Sequence, residues 1–274
     1  MTGVHPAYQS QAIGQQLKFY QRDWALQHGY RTIHWTFDPL QRGNAHFNIR
    51  KLGATAQIYH ENYYGEMQDQ INLGLPSDRL EAVWNIHKPR KRDMQTPAYH
   101  HDVSLLHFAD GLHTGEINPD HQYQFLEIPF RLTDLKRDNP DLALAWQQAL
   151  RQSLQEAFSQ GYTITDFVIE DNRCWYVLTP PVPWYMYVVE CRDASLYTGI
   201  TNNLVRRVDQ HNRGKGAAYT ASRRPVSLKA RWRFTSQGDA LRAEAAFKRK
   251  NQQAKWQHIH QKLDFMTGTF VETT

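Results

Sequence analysis

The chain has 274 residues and a mass of 32.1 kDa, with 41% hydrophobic and 22% charged residues, a balance that excludes disordered and fibrous classes and suits two domains of ordinary size. Its net charge of +5 hides an asymmetry: residues 183–274 carry sixteen Lys and Arg against seven Asp and Glu, net +9, whereas residues 1–182 carry sixteen against twenty, net −4. A basic carboxyl-terminal part attracts polyanions such as nucleic acid, a merely solvated basic surface being the alternative. The sequence has neither an apolar run of the roughly 18 residues that span a bilayer nor a signal stretch, which leads us to expect a cytoplasmic address without membrane contact. Cys174 and Cys191 are expected to be reduced, partly buried and structural.

In chain order, Ile13, Leu17, Trp24 and Leu26 fall in a helical run that ends near Gly29. "RTIHWTF" (31–37) predicts a strand closed by Asp38 and Pro39. A short helix over 44–52 is stopped by Gly53, and "ATAQIYHENYY" predicts another strand before Gly65. The polar, basic segment "HKPRKRDMQT" (87–96) reads as a loop within the first domain. Residues 140–157 predict a helix with Leu142, Leu144, Trp146, Leu150, Leu154 and Phe158 on its apolar face, and "ITDFVIE" and "CWYVLT" predict paired strands. Thr179, Pro180, Pro181, Val182 and Pro183 can neither continue a helix nor sit inside a sheet. The expected layout is therefore a domain over 1–180, a linker over 181–183, a second domain over 184–263 and a tail over 264–274.

In the second domain "WYMYVVEC" (184–191) and "SLYTGI" (195–200) predict a hairpin, with Tyr185 and Tyr187 on one face of the first strand. A helix capped by Thr201 or Asn202 runs to about His211, with Leu204, Val208 and His211 on one face and Arg207 beside it. A third strand over 226–234 alternates Val226, Leu228, Ala230, Trp232 and Phe234 with Ser227, Lys229, Arg231 and Arg233, which predicts one apolar and one basic face. On a helix capped near Asp239, Ala240, Ala243, Glu244 and Phe247 lie at i, i+3, i+4 and i+7. A carboxylate among apolar residues needs a cation, either an arginine such as Arg207 or Arg242 or a metal ion.

"YMY" ending at Tyr187, "YTG" at 197–199, Arg207 ten residues after Tyr197, and Glu244 stand in the order and spacing of one signature. On these residues, with "GKGAAYTASRRPVSL" and "ALRAEAAFKRK", the region from about 184 to 263 resembles the GIY-YIG nucleases, in particular the short bacterial branch similar to the module that begins UvrC. Tyr185 and Met186 stand where the name has Gly and Ile, Thr198 replaces the second Ile, and Asn251 is the candidate for an asparagine that some members carry after the glutamate.

The resemblance implies an α+β domain with a three-stranded mixed sheet and flanking helices. It also implies hydrolysis of DNA phosphodiesters, with one divalent cation, Mg²⁺ or Mn²⁺, held by Glu244. In that scheme Tyr187 is the general base or water-orienting group, Tyr197 a second hydroxyl, Arg207 a clamp on a phosphate oxygen, and His211 a proton acceptor or relay. Lys215, Arg223, Arg224, Arg231, Arg233 and Lys248 would meet the DNA backbone, an ordinary solvated surface being nearly as good a reading for any one of them.

Near the start, "GVHPAYQSQAIGQQLK" resembles the pyrophosphate loop of GNAT acetyltransferases, with Gln9, Ala12 and Gly14 in the pattern positions, and the likeness extends towards Leu178 as an incomplete α/β region. Ile49 stands where many of those enzymes place a catalytic tyrosine, and the strands that normally precede the loop lie outside the sequence. The expectation is that no complete acetyl-CoA site is assembled. The leading functional expectation is a structure-directed or weakly sequence-specific endonuclease; a non-cutting DNA-binding protein and an acetyltransferase with an appended DNA-binding part are the alternatives.

Overall fold

The computed structural model describes residues 11–65, 75–87, 99, 101–119, 121–263 and 265–271. The chain forms two compact units, Met1–Pro180 and Pro181–Thr274. Among the described residues no helix is long and apolar enough to cross a membrane. Residues 88–96 of the expected loop and Gln9 of the GNAT-like pattern lie outside the described residues.

Helix α1 (Ile13–Gln27) opens the first unit, behind Ala12 in a left-handed conformation with φ 60°, and Gly14 lies in its first turn. Strand β1 (Thr32–Phe37) precedes α2 (Arg42–Ala45), which widens into a π-helical turn at His46–Lys51. The expected single helix is thus two forms end to end, and Ile49 is fully buried on the second. Strands β2 (Thr55–His60) and β3 (Arg79–Asn85) follow, then β4 (Ser104–Phe108), β5 (Leu112–Thr114) and β6 (Gln124–Ile128). After α3 (Leu132–Asp138) and α4 (Pro140–Ser159), strands β7 (Thr163–Glu170) and β8 (Arg173–Thr179) end the unit.

The eight strands among the described residues form one sheet in the order β1-β3-β2-β7-β8-β6-β4-β5. Only the β4–β6 pairing among the described residues is parallel, so the α/β expectation gives way to a mainly antiparallel sheet. The physical reason is local: β7 and β8 are joined by Asp171 and Asn172, both at positive φ, the backbone of a two-residue hairpin turn, and β2–β3 and β4–β5 also pair with their chain neighbours.

Helix α4 starts where the Asn139 side chain accepts a hydrogen bond from the Leu142 amide and Pro140 fills the first turn. It buries Ala143, Trp146, Leu150, Leu154 and Ala157 at helical spacing. A polar anchor ties it to the sheet: the fully buried Asp78 carboxylate accepts from Arg151 Nε and Nη2, each at 2.9 Å, from Tyr59 Oη at 2.6 Å and from the Asn62 amide at 2.9 Å.

The second unit is α+β. Strands β9 (Trp184–Cys191) and β10 (Leu196–Thr201) make the expected hairpin. Helix α5 (Leu204–Asn212) follows, capped by Asn203 rather than Thr201 or Asn202; Asn203 Oδ1 accepts from the Arg206 amide at 3.0 Å. Next come α6 (Ala218–Ala221), β11 (Val226–Phe234), α7 (Gln237–Lys248) and α8 (Gln252–His260). Helix α7 is capped by Ser236, three residues before the expected Asp239, with Ser236 Oγ accepting from the Asp239 amide. Asn251 caps α8 through the Ala254 amide.

The sheet corrects two expectations. Among the described residues it has four strands in the order β10-β9-β11-β12, all of whose pairings are antiparallel, rather than three in a mixed arrangement. The added strand β12 (Thr269–Val271) comes from the segment taken as a tail. Phe265 and Phe270 draw it in by packing on Trp232, with ring centroids 6.2 and 5.4 Å away.

Strand β11 holds a further correction. A bulge between Leu228 and Ala230 leaves Lys229 outside the backbone register with β9, so the strand changes face there. Val226 and Leu228 pack with Tyr187 and α5, whereas Ala230, Trp232 and Phe234 pack on the other side with Met186, Val188 and α7. The apolar residues of β11 therefore divide between two cores, and one uniformly basic face does not form.

Candidate active site

Tyr187 lies at the centre of β9, fully buried, on the face covered by α5. Its cross-strand partner on β10 is Gly199, and a side chain there is sterically excluded: a Cβ at Gly199 would stand 2.6 Å from Tyr187 Oη. The phenol thus lies across the bare backbone of β10. That is the local reason for a glycine two residues after Tyr197.

Two turns of α5 close on this hydroxyl. Arg207 Nε donates to Tyr187 Oη at 3.1 Å, and His211 Nε2 lies 2.7 Å from the same oxygen. Residues four apart on a helix share a face, so one element supplies both partners. Tyr197, on the same side of the sheet, sets its ring 5.2 Å from the His211 ring and 6.0 Å from that of Tyr219. Tyr187, Tyr197, Arg207 and His211 thus lie together on one side of the sheet.

Burial pushes the Tyr187 phenol up to about 12, against Arg207, whose hydrogen bond and charge favour the phenolate; the nearby Tyr197 and Glu244 add to the rise. The bond to Tyr187 holds Arg207 above its ordinary value. Burial, and then the charge of Arg207, hold the His211 imidazole below its ordinary value, which keeps it neutral and able to accept a proton.

Glu244 approaches from α7, whose Ala240, Ala243 and Phe247 are buried against the opposite face of the sheet. Its side chain is 16% exposed, and its carboxylate Oε1 is 2.7 Å from Lys248 Nζ. The ion pair is therefore with Lys248 one turn on, not with Arg207 or Arg242, the latter being bonded to Asp239. Helix geometry explains the difference, since i and i+4 face each other and i and i−2 do not.

Among the described residues no group of three or more His, Cys, Asp and Glu is placed to hold a metal ion. A lone carboxylate does not fit zinc, which takes three or four protein ligands, chiefly histidine and cysteine with carboxylates beside them. It does fit a hard cation such as Mg²⁺, which keeps several waters and takes one or two carboxylates together with phosphate oxygens.

The family model described as the GIY-YIG catalytic domain matches residues 183–257. A UPF0213 protein of Streptococcus agalactiae is 54% identical over 80 residues, 29% of this chain and 91% of the relative. The chain belongs to the GIY-YIG family. A UPF0213 protein of Bacillus velezensis is 43% identical over 89 residues, 32% of this chain and 90% of that relative. The solution structure of a UPF0213 protein from Bacillus halodurans is 41% identical, covers 29% of this chain and 85% of its own, and has a TM-score of 0.21.

The basic residues of the GIY-YIG unit fall into distinct places. Because of the bulge at Lys229, Arg231 stands opposite Tyr187 and Arg233 opposite Tyr185, on the same face as the tyrosine cluster. Lys215 and Arg224 are exposed, and Arg224 Nε donates to the Ala221 carbonyl at 2.8 Å. Arg223 is held by Asp193 at 3.0 Å and by the Tyr219 carbonyl at 2.9 Å. Lys248 is tied to Glu244 as described.

Two residues escaped the sequence reading. Thr220 is fully buried, and its hydroxyl lies 2.7 Å from His211 Nδ1 and 2.9 Å from the Ala217 carbonyl. Gly216 presses on the same imidazole, for a Cβ there would stand 2.3 Å from His211 Nδ1. The paired glycines of "GKGAAYT" signal a tight loop, but no periodicity connects position 220 with 211.

Proposed function

We propose that the GIY-YIG unit hydrolyses phosphodiester bonds in DNA, with a preference for DNA structure over sequence. The observation that carries the reading is the double engagement of one phenol: Tyr187 Oη takes a hydrogen bond from Arg207 Nε and lies 2.7 Å from His211 Nε2. Few structural roles call for a buried tyrosine between a fixed cation and a base.

In this reading water attacks phosphorus as its proton passes to Tyr187 Oη, while the proton of Tyr187 passes to His211 Nε2. The new P–O bond forms as the bond to the leaving sugar oxygen breaks, and that oxygen takes its proton from solvent. Arg207 contributes in two ways: its Nε–H stabilises negative charge on Tyr187, and the rest of its planar fork can meet a non-bridging phosphate oxygen. A divalent cation at Glu244, when bound, supplies charge stabilisation at the phosphate and the leaving oxygen. Arg231 and Arg233 share the face of Tyr187 and Tyr185, which suits contacts to the flanking backbone phosphates. Such contacts position DNA without reading its sequence, which supports recognition by shape.

The test compares the full chain with Glu244→Ala on supercoiled, nicked and branched DNA in Mg²⁺ or Mn²⁺, with DNA affinity measured alongside. Cleavage by the wild type together with intact binding and no cleavage by Glu244→Ala is the expected result. Binding without cleavage by the wild type on every substrate would overturn the hydrolytic reading and leave a DNA-binding module.

A further inference from the structure

We propose that Thr220 is a positioning residue that fixes the proton on Nδ1 of His211 and so leaves Nε2 free to receive the proton of Tyr187. The inference rests on the hydrolytic reading for its consequence but on the hydrogen-bond chain for its substance.

Five groups stand in line. Arg207 Nε lies 3.1 Å from Tyr187 Oη, which lies 2.7 Å from His211 Nε2. On the far side of the ring His211 Nδ1 lies 2.7 Å from Thr220 Oγ1, which lies 2.9 Å from the Ala217 carbonyl oxygen. The two ends of this line cannot reverse: a guanidinium only donates and a carbonyl oxygen only accepts. Tyr187, having accepted from Arg207, directs its own proton at Nε2. Thr220, having given its single proton to Ala217, has only lone pairs to offer Nδ1. Both ends require the same neutral tautomer, with hydrogen on Nδ1 and none on Nε2. When Nε2 takes up the proton, the Nδ1–H bond to Thr220 is kept, so the imidazolium forms without rearrangement of its inner side.

The loop is built to hold that orientation. Thr220 sits on α6 with no exposure, and Gly216 leaves only enough room for the ring, so the imidazole is bounded on its Nδ1 side by both. Removal of the hydroxyl would leave Nδ1–H buried without an acceptor, which favours ring rotation or the opposite tautomer.

The experiment uses the full chain, with ¹⁵N-labelled histidine and the His211 signals assigned by their loss in His211→Gln. In the wild type Nδ1 is expected to resonate as a protonated nitrogen and Nε2 as an unprotonated one. Thr220→Val keeps the shape and removes the hydroxyl; it is expected to mix or invert the tautomers and to slow single-turnover DNA cleavage about 10- to 100-fold, less than the roughly 100- to 10,000-fold contributed by a whole acid–base group. DNA affinity should stay within about twofold, because the lost group acts on proton transfer and not on phosphate contacts. Thr220→Ser restores both tautomer and rate. A wild-type spectrum with the proton on Nε2 overturns the proposal, whether or not Thr220→Val folds. Wild-type cleavage by a Thr220→Val protein would overturn it as well. If the wild type cuts no DNA the hydrolytic reading fails separately, and the nitrogen shifts still decide the role of Thr220.

Discussion

Tyr187 and Gly199 face each other across β9 and β10, and the Tyr187 hydroxyl fills the space that any side chain at position 199 would need. Gly199→Ala should therefore push the phenol away from Arg207 and His211. Cleavage is expected to fall about 100-fold, as when a catalytic group is misplaced by about 1 Å, while DNA affinity changes little. An unaltered rate constant in single-turnover assays would show that the hydroxyl position does not matter.

Arg207→Lys keeps the charge and removes both the Nε–H that reaches Tyr187 Oη and the planar fork. A loss of about 100-fold in cleavage is expected, comparable to removing one preorganised donor. Cleavage at the wild-type rate would reduce the role of Arg207 to that of a general positive charge.

The shift at His211 also predicts a pH dependence of stability. Its folded-state value is lowered by burial and by Arg207, so between that value and the ordinary one, about 6.5, the unfolded chain holds the proton and the folded chain does not. Stability is thus fully present above about pH 6.5 and declines as pH falls through the window below it. His258, lowered by burial and by Lys250, acts in the same direction, so His211→Gln should flatten the decline only in part. Hydrogen exchange of the β9 and β11 amides as pH is lowered would measure this, and an equally steep decline in the variant would contradict it.

The bulge at Lys229 decides which face carries Trp232. Deleting Lys229 would straighten the register and turn either Trp232 or Val226 out of its core. A loss of about 3 kcal/mol or more is expected, the range for emptying a large aromatic site. Lys229→Ala, which removes only its ion pair with Glu190 at 2.8 Å, should cost under about 1 kcal/mol. Chemical denaturation of the two variants distinguishes these outcomes.

In the first unit, Asp78→Ala would leave the Arg151 guanidinium and the Tyr59 hydroxyl without their shared acceptor. The expected cost is about 3 kcal/mol, as for breaking a buried pair by removing one partner. A change below about 1 kcal/mol in denaturant unfolding would mean that Glu61, already 3.0 Å from Arg151, replaces it.

Local patterns made much of this protein legible from sequence alone. Strand β9, the hairpin into β10 and helices α4, α5 and α7 follow from alternation and helical spacing, which act over a few residues, whereas the grouping of Tyr187, Tyr197, Arg207 and His211 is what the resemblance of the motif to the GIY-YIG nucleases implies. Tertiary structure decided the rest. It turned Arg231 and Arg233 towards the tyrosines through one residue outside the backbone register, a slip that no alternating pattern records. It recruited residues 269–271 as a fourth strand because Trp232 offered Phe270 a surface. It brought Thr220 to His211 through a loop closed by steric fit at Gly216. Propensity and periodicity set the elements, whereas contacts between residues distant in sequence depend on shape and packing, which a one-dimensional pattern does not carry.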